Sequence, residues 1–204
     1  IYDRTGKVLL YDVYGTVRRT VVPLEDISIY ARNATIAIED TEFYQHRGIK
    51  PLAIMRALAA NIRAGDKSQG GSTITQQVIK NTVLSREKTY TRKIKEAILA
   101  LKLEQQIPKD KILEIYFNET PYGGTLYGIE EAAQYYFAKT AKDVSLAEAA
   151  YLAALPQAPT YYSPFGNHRD ELERRKNMVL QRMYENGFVN ADEYQTAKTV
   201  DVEF

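Results

Sequence analysis

The chain contains no cysteine, which excludes disulfides and thiolate metal sites and leaves its compartment open. No apolar stretch approaches the roughly 18 residues that a membrane-spanning helix needs, and no signal-peptide pattern opens the sequence. Internal repeats and low-complexity linkers are also missing. What remains is 204 residues, 45% hydrophobic and 26% charged, enough to build a core within one domain or one domain with two lobes around a cleft. The opening segment, IYDRTGKVLLYD with no Met, reads as the start of an excised piece, so a membrane anchor is expected upstream.

Charge is nearly balanced at +1, but its distribution is uneven. Between Lys80 and Lys111 nine Lys/Arg oppose four acids, +5 locally and therefore −4 elsewhere. A basic segment in a near-neutral protein points to a local anionic partner such as phosphate, a lipid headgroup or nucleic acid. Charge alone is read more simply as a solvated helix face.

Residues 1–22 alternate apolar and polar around Thr5-Gly6 and Tyr14-Gly15, which predicts a small β element. From Pro23 on the period becomes helical, with helices expected near 26–40, 51–63, 73–84, 90–106, 109–117, 127–137, 146–155, 169–186 and 191–199. Pro51 suits a first helical position, Gly65 a helix stop, and Ser145 an N-cap before LAEAAYLAAL. The expected fold is mainly α with a small N-terminal β element. Loops at 64–72, 118–126 and 156–168 lie among the segments with chemical character, and loops carry function more often than cores do.

Four segments could carry chemistry. In Ile38–Gly48 two adjacent carboxylates, Glu39 and Asp40, end an apolar helix and precede aromatics and His46. A carboxylate half-buried beside apolar groups becomes a stronger base, as proton transfer requires. Ordinary surface acids and a structural histidine are the plainer reading of that segment alone. In Gly70–Asn81, glycines lead into a helix whose Thr73 and Gln76 fit a capping box. Its N-terminus suits a phosphate or sugar oxygen, and Gln77, Lys80 and Asn81 share one polar face. In Arg92–Glu96 the carboxylate lies one turn after both cations, either as an exposed ion pair or as part of a pyrophosphate site. Lys111–Asn118 runs into the glycine-rich PYGG, which suggests a cleft wall, although packing and a helix stop explain it equally. LAALPQAP reads as an apolar helix stopped by proline.

Taken in order, EDTEFYQHRG, GGSTITQQVIKN, RKIKE, KILEIYFN and LAALPQAP closely resemble family 51 glycosyltransferases, the peptidoglycan-polymerising domain of class A penicillin-binding proteins and monofunctional transglycosylases. The likeness runs from Glu39 to Pro159, and IYDRTGKVLL and RRKNMVLQRMYENGFVNADEY extend it to the flanks. Phe117, where leucine is common, and Lys80-Asn81, where some members have Arg-Asn, are small departures that keep the chemistry.

The resemblance implies a lysozyme-like, two-lobed helical domain over residues 1–204, with a head and a membrane-facing jaw near 62–110. It implies that the growing lipid-linked strand is the donor and lipid II the acceptor. By the same resemblance Glu39 is the general base, and Glu96 is the second carboxylate, acting on the donor side. Asp40, Phe43, His46, Ser72, Thr73, Gln76, Gln77, Lys80, Asn81, Arg92 and Lys93 form the surrounding substrate-binding set. No cofactor is required and no metal-ligand cluster stands out, although Mg²⁺ beside a pyrophosphate is compatible with the chemistry. The implied setting is the outer, periplasmic or extracytoplasmic face of the inner membrane, with inhibition by moenomycin. Ser-x-x-Lys and Lys-Thr-Gly are absent, so the transpeptidase that follows such domains is expected in the full-length protein rather than here.

Two other classes remain to be distinguished. A lysozyme-like hydrolase shares the helical class and the glutamate but has no use for a pyrophosphate site, and a binding module would keep the motifs for recognition only. Nucleic acid is not an expected partner, since no base-reading module is recognisable and the remainder of the chain is acidic.

Overall fold

Residues 19–51, 71–83 and 90–204 are described in this computed structural model. After a short 3₁₀ turn at Leu24–Asp26 come α1 (Ile29–Glu39), α2 (Ile74–Thr82), α3 (Tyr90–Gln106) and α4 (Lys109–Glu119). A two-stranded hairpin follows, β1 (Pro121–Gly123) with β2 (Leu126–Tyr127), then α5 (Ile129–Phe137) and α6 (Leu146–Ala154). A second 3₁₀ turn at Leu155–Gln157 leads to α7 (Arg169–Glu185) and α8 (Ala191–Thr199).

Helix α6 organises the core. Its sequence LAEAAYLAA is apolar but for Glu148, which caps its start, and a helix of that kind must be surrounded. It packs between α1 and α7, with α8 behind, while α2 rests on α3 and α4. Small residues permit the close approach: Ala31, Ala34 and Ala37 of α1 and Ala149, Ala150, Ala153 and Ala154 of α6 are all buried. A single apolar cluster joins these helices to Ile74 and Val78 of α2 and to Ile112, Leu113 and Phe117 of α4.

Helix starts follow their sequence signals. Thr73 with Gln76, Ser145 with Glu148, and Asn190 with Glu193 each form a reciprocal capping box that satisfies two otherwise orphaned backbone N–H groups. The chain entering α1 is tied down by Asn118, whose side chain accepts from Val22 N–H and donates to Val22 O, both at 2.9 Å.

The predicted helices inside the described residues are present within a few residues of their expected ends. Of the predicted β element at 1–22 only residues 19–22 are described, and they form no strand; of the helix at 51–63 only Pro51 is described, and its Gly65 stop and residues 62–70 and 84–89 of the jaw region lie outside the described residues. The hairpin at 121–127 falls where a loop is predicted. Its strands are too short to show a period-two pattern, and its turn depends on Gly123 and Gly124, both at positive φ. Among the described residues no helix is long and apolar enough to cross a membrane.

Candidate active site

Glu39 is the last residue of α1, and Asp40 carries the chain out of the helix. The Asp40 side chain is completely buried and joins three segments. Its Oδ1 accepts from Lys50 Nζ at 2.9 Å, and its Oδ2 from His46 Nε2 at 2.8 Å and from the Ile74 N–H at 3.1 Å. The last bond satisfies a free N–H at the start of α2, where a negative charge is favoured. Burial alone would raise the Asp40 pKa, but the His46 and Lys50 contacts outweigh it and hold the carboxyl below its ordinary value. His46 accepts the Gly48 N–H through Nδ1 at 3.1 Å, so its proton sits on Nε2, facing Asp40.

The same turn fixes α2 from its other side. Gly48 O accepts from Thr73 Oγ1 at 2.6 Å, and Gly48 adopts φ +88°. A Cβ at Gly48 would stand 2.7 Å from the Ala100 carbonyl oxygen in α3, with no room for it. Gly48→Ala is therefore expected to destabilise the domain by about 1–3 kcal/mol from backbone strain alone. That corresponds to a melting temperature lower by roughly 2–4 °C per kcal/mol in a calorimetric scan. An unchanged melting temperature would show that the turn relaxes freely.

This frame brings α2 against the end of α1. Gln77 Nε2 donates to Glu39 Oε2 at 2.6 Å. The other oxygen, Oε1, faces Nη2 of Arg175 in α7 at 3.9 Å. Tyr116 of α4 and Tyr122 of β1 are both buried, and their hydroxyls are pushed well up, by burial first and by the negative charge of Glu39 next. The Glu39 side chain keeps 16% exposure, enough for a ligand to reach it.

Around Glu96 the balance of charge reverses. Glu96 is 1% exposed, with Arg92 Nη1 2.7 Å from Oε1 and Lys93 Nζ 2.7 Å from Oε2. Lys93 also donates to Ser72 Oγ at 2.7 Å, which links α3 to the segment before α2. Glu96 thus holds two cations in place and presents them. Lys80, one turn beyond Gln77, forms no ion pair or hydrogen bond among the described residues. Its side chain has access to solvent, yet partial burial, the largest influence, lowers its pKa. Glu96 and Glu39 pull that value back up, and Lys93 and Arg92 oppose them. Lys80 therefore feels the charge of both glutamates, and among the described residues it has no anion of its own.

The structure brings Glu39, Gln77, Lys80, Ser72, Arg92, Lys93 and Glu96 into connected surroundings. Asn81 stays half-buried on α2. Direct contact with substrate does not fit Phe43, Thr73 and Gln76, whose side chains are buried. Phe43 belongs to the core, with Lys109 Nζ 4.4 Å over its ring, and Thr73 and Gln76 cap α2. Asp40 and His46 likewise build the frame beneath Glu39. Gln77, expected to bond substrate, has its amide on Glu39. Lys50, Tyr116, Tyr122 and Arg175 have no role in the sequence reading. Tyr116 and Arg175 lie within KILEIYFN and RRKNMVLQRM and Tyr122 within PYGG, none with an individual role, and Lys50 lies in no motif.

The transglycosylase family model matches residues 7–184. The chain belongs to that family. Penicillin-binding protein 1A of Aquifex aeolicus is 48% identical over 197 residues, 97% of this chain and 27% of the relative. Penicillin-binding protein 1A/1B of Bacillus subtilis is 43% identical over 203 residues, 99% of this chain and 22% of the relative. The crystal structure of penicillin-binding protein 1A from Haemophilus influenzae superposes with a TM-score of 0.54 at 22% identity, over 92% of this chain and 18% of that one, and shares the helical fold. The chain spans about a quarter of the length of these relatives, which carry further sequence beyond the transglycosylase domain. Transglycosylase domains of class A penicillin-binding proteins polymerise lipid II into glycan strands, and this is a peptidoglycan glycosyltransferase domain of that kind.

Proposed function

We propose that Glu39 is the general base of an inverting glycosyl transfer in which lipid II is the acceptor and the lipid-linked strand the donor. Glu39 takes the proton of the acceptor GlcNAc 4-hydroxyl as that oxygen bonds to C1 of the donor MurNAc. The C1–O bond to pyrophosphate breaks with its electron pair, giving a β-1,4 linkage and undecaprenyl pyrophosphate. Lys80, Arg92 and Lys93 take up the charge arriving on the leaving group, an electrostatic role for donors already fixed in place. Ser72 and Asn81 serve the donor sugar or phosphate. In the full-length protein the domain works at the outer face of the inner membrane, joined to a transpeptidase.

The observation that carries this reading is the unlike state of the two glutamates. Glu39 is reachable, while Glu96 is buried with a cation on each oxygen. A hydrolase cutting a glycosidic bond turns two carboxyls on the sugar, one giving a proton to the leaving group and the other serving as base or nucleophile. Glu96 is engaged against that task, whereas a pyrophosphate needs cations and no such acid. The same engagement leaves Glu96 a poor ligand for Mg²⁺, and among the described residues no group of three acidic or histidine side chains could hold a metal. The test follows lipid pyrophosphate release from labelled lipid II beside a suspension of purified cell wall. Release without clearing of the wall is expected; clearing without release would replace the transferase with a hydrolase.

The membrane contact has a physical basis in α3. Ile94, Ile98 and Leu101 recur at helical spacing and are 62%, 49% and 37% exposed, with Lys95 and Lys102 exposed beside them. An apolar stripe edged by cations suits the interface of an anionic bilayer. The domain is expected to sediment with anionic vesicles more than with neutral ones, and Ile94→Asp with Ile98→Asp to remove most of that binding. Equal sedimentation with both vesicle types would remove the electrostatic part of the account.

A further inference from the structure

Arg175 has no part in the transfer as derived so far, yet it is the only cation paired with Glu39 among the described residues. It is also closely held. Its Nε donates to Ala154 O, at the end of α6, at 2.9 Å, and its guanidinium carbon lies 5.6 Å from the centroid of the Tyr162 ring. Its side chain is 13% exposed. Three parts of the head therefore fix it: α7, the end of α6 and the loop that follows Pro159.

The distance is the informative quantity. At 3.9 Å, Nη2 is near enough to attract the carboxylate but beyond the roughly 2.7–3.2 Å of a hydrogen bond. Gln77 occupies Oε2 at 2.6 Å. One oxygen is thus anchored by a neutral donor, and the other faces a cation and is still able to accept. A bidentate arginine would fill both oxygens and block the base. The other groups that act on Glu39 are Lys80 from α2 and the Tyr116 and Tyr122 hydroxyls from α4 and β1. Asp40 lies beside it in the chain, already paired with His46 and Lys50.

We infer that Arg175 is the positioning residue that orients the Glu39 carboxylate and makes Oε1 its proton-accepting oxygen. The inference rests on Glu39 being the base. In the transfer step the 4-hydroxyl proton passes to Oε1 and the Arg175–Glu39 charge pair is lost. Loss of that proton to water restores the pair and readies the base for the next addition.

The test is the kinetics of lipid II polymerisation by the whole domain in detergent, with thermal melting of each variant. Arg175→Gln is expected to lower kcat about tenfold with KM for lipid II nearly unchanged, because the base is present but no longer held in place. Arg175→Lys keeps the charge and is expected to restore most of the wild-type kcat. Arg175→Met, which retains aliphatic bulk against Tyr162, is read in the same way as Arg175→Gln should that variant fail to fold. Variants whose kcat follows only their melting temperatures, or a Met variant as active as wild type, reduce Arg175 to a packing residue and overturn the inference. Glu39→Gln is run alongside. If it stays active, the base assignment falls and the role of Arg175 with it; if it is inactive while kcat does not fall in Arg175→Gln, the inference about Arg175 fails alone.

Discussion

Glu39→Gln is expected to lower glycan polymerisation by about a hundredfold to ten-thousandfold, the range for removing a general base, while lipid II still binds. The substitution is close to isosteric and leaves Gln77 and Arg175 with a polar neighbour, so the melting temperature is expected to change little. What it removes is the capacity of Oε1 to take a proton. The pyrophosphate site of Lys80, Arg92 and Lys93 lies on other elements and is untouched. The loss therefore belongs in kcat, with KM for lipid II nearly unchanged. A variant with weak binding and a normal rate at saturation would assign Glu39 to recognition instead.

The second large effect is expected at Asp40, whose side chain is completely buried. Asp40→Asn removes a buried charge that faces Lys50, His46 and the first N–H of α2, and breaking a buried pair of this kind costs about 3–5 kcal/mol. Activity falls as well, because the same carboxylate sets the position of α2 and hence of Gln77 against Glu39. The pH dependence has a definite sign. The Asp40 carboxyl is held below its ordinary value of 3.8, so the folded protein binds that proton less tightly than the unfolded chain does. Its contribution to stability is complete above 3.8 and is lost as the pH falls through the lower, folded value. Wild-type stability measured by urea unfolding is thus expected to decline below about pH 4, more steeply than in Asp40→Asn. Parallel curves would place the acid sensitivity elsewhere.

Local chemistry was legible in the sequence wherever it is short-range. The capping box at Thr73, the N-cap at Ser145, the proline before α4 and the largely apolar α6 each depend on residues within one turn, and each is present. Arg92, Lys93 and Glu96 stood out because helical spacing sets the carboxylate one turn after both cations, Lys80 because it shares a polar face with Gln77 and Asn81, and Glu39 because it ends an apolar helix. Long-range partners left no such trace. Arg175 meets Glu39 only because α7 packs on α1, and no spacing in RRKNMVLQRM encodes that contact. Phe43, Thr73 and Gln76 entered the substrate-binding set by resemblance to a motif. A motif does not separate residues that touch a ligand from those that hold its neighbours in place, and here burial makes that separation.

The most direct test incubates the purified domain with labelled lipid II in detergent and resolves the products on a gel. The account predicts a ladder of lengthening strands that muramidase digests, with one undecaprenyl pyrophosphate released per linkage. A folded domain that binds lipid II and yields neither ladder nor pyrophosphate would contradict it.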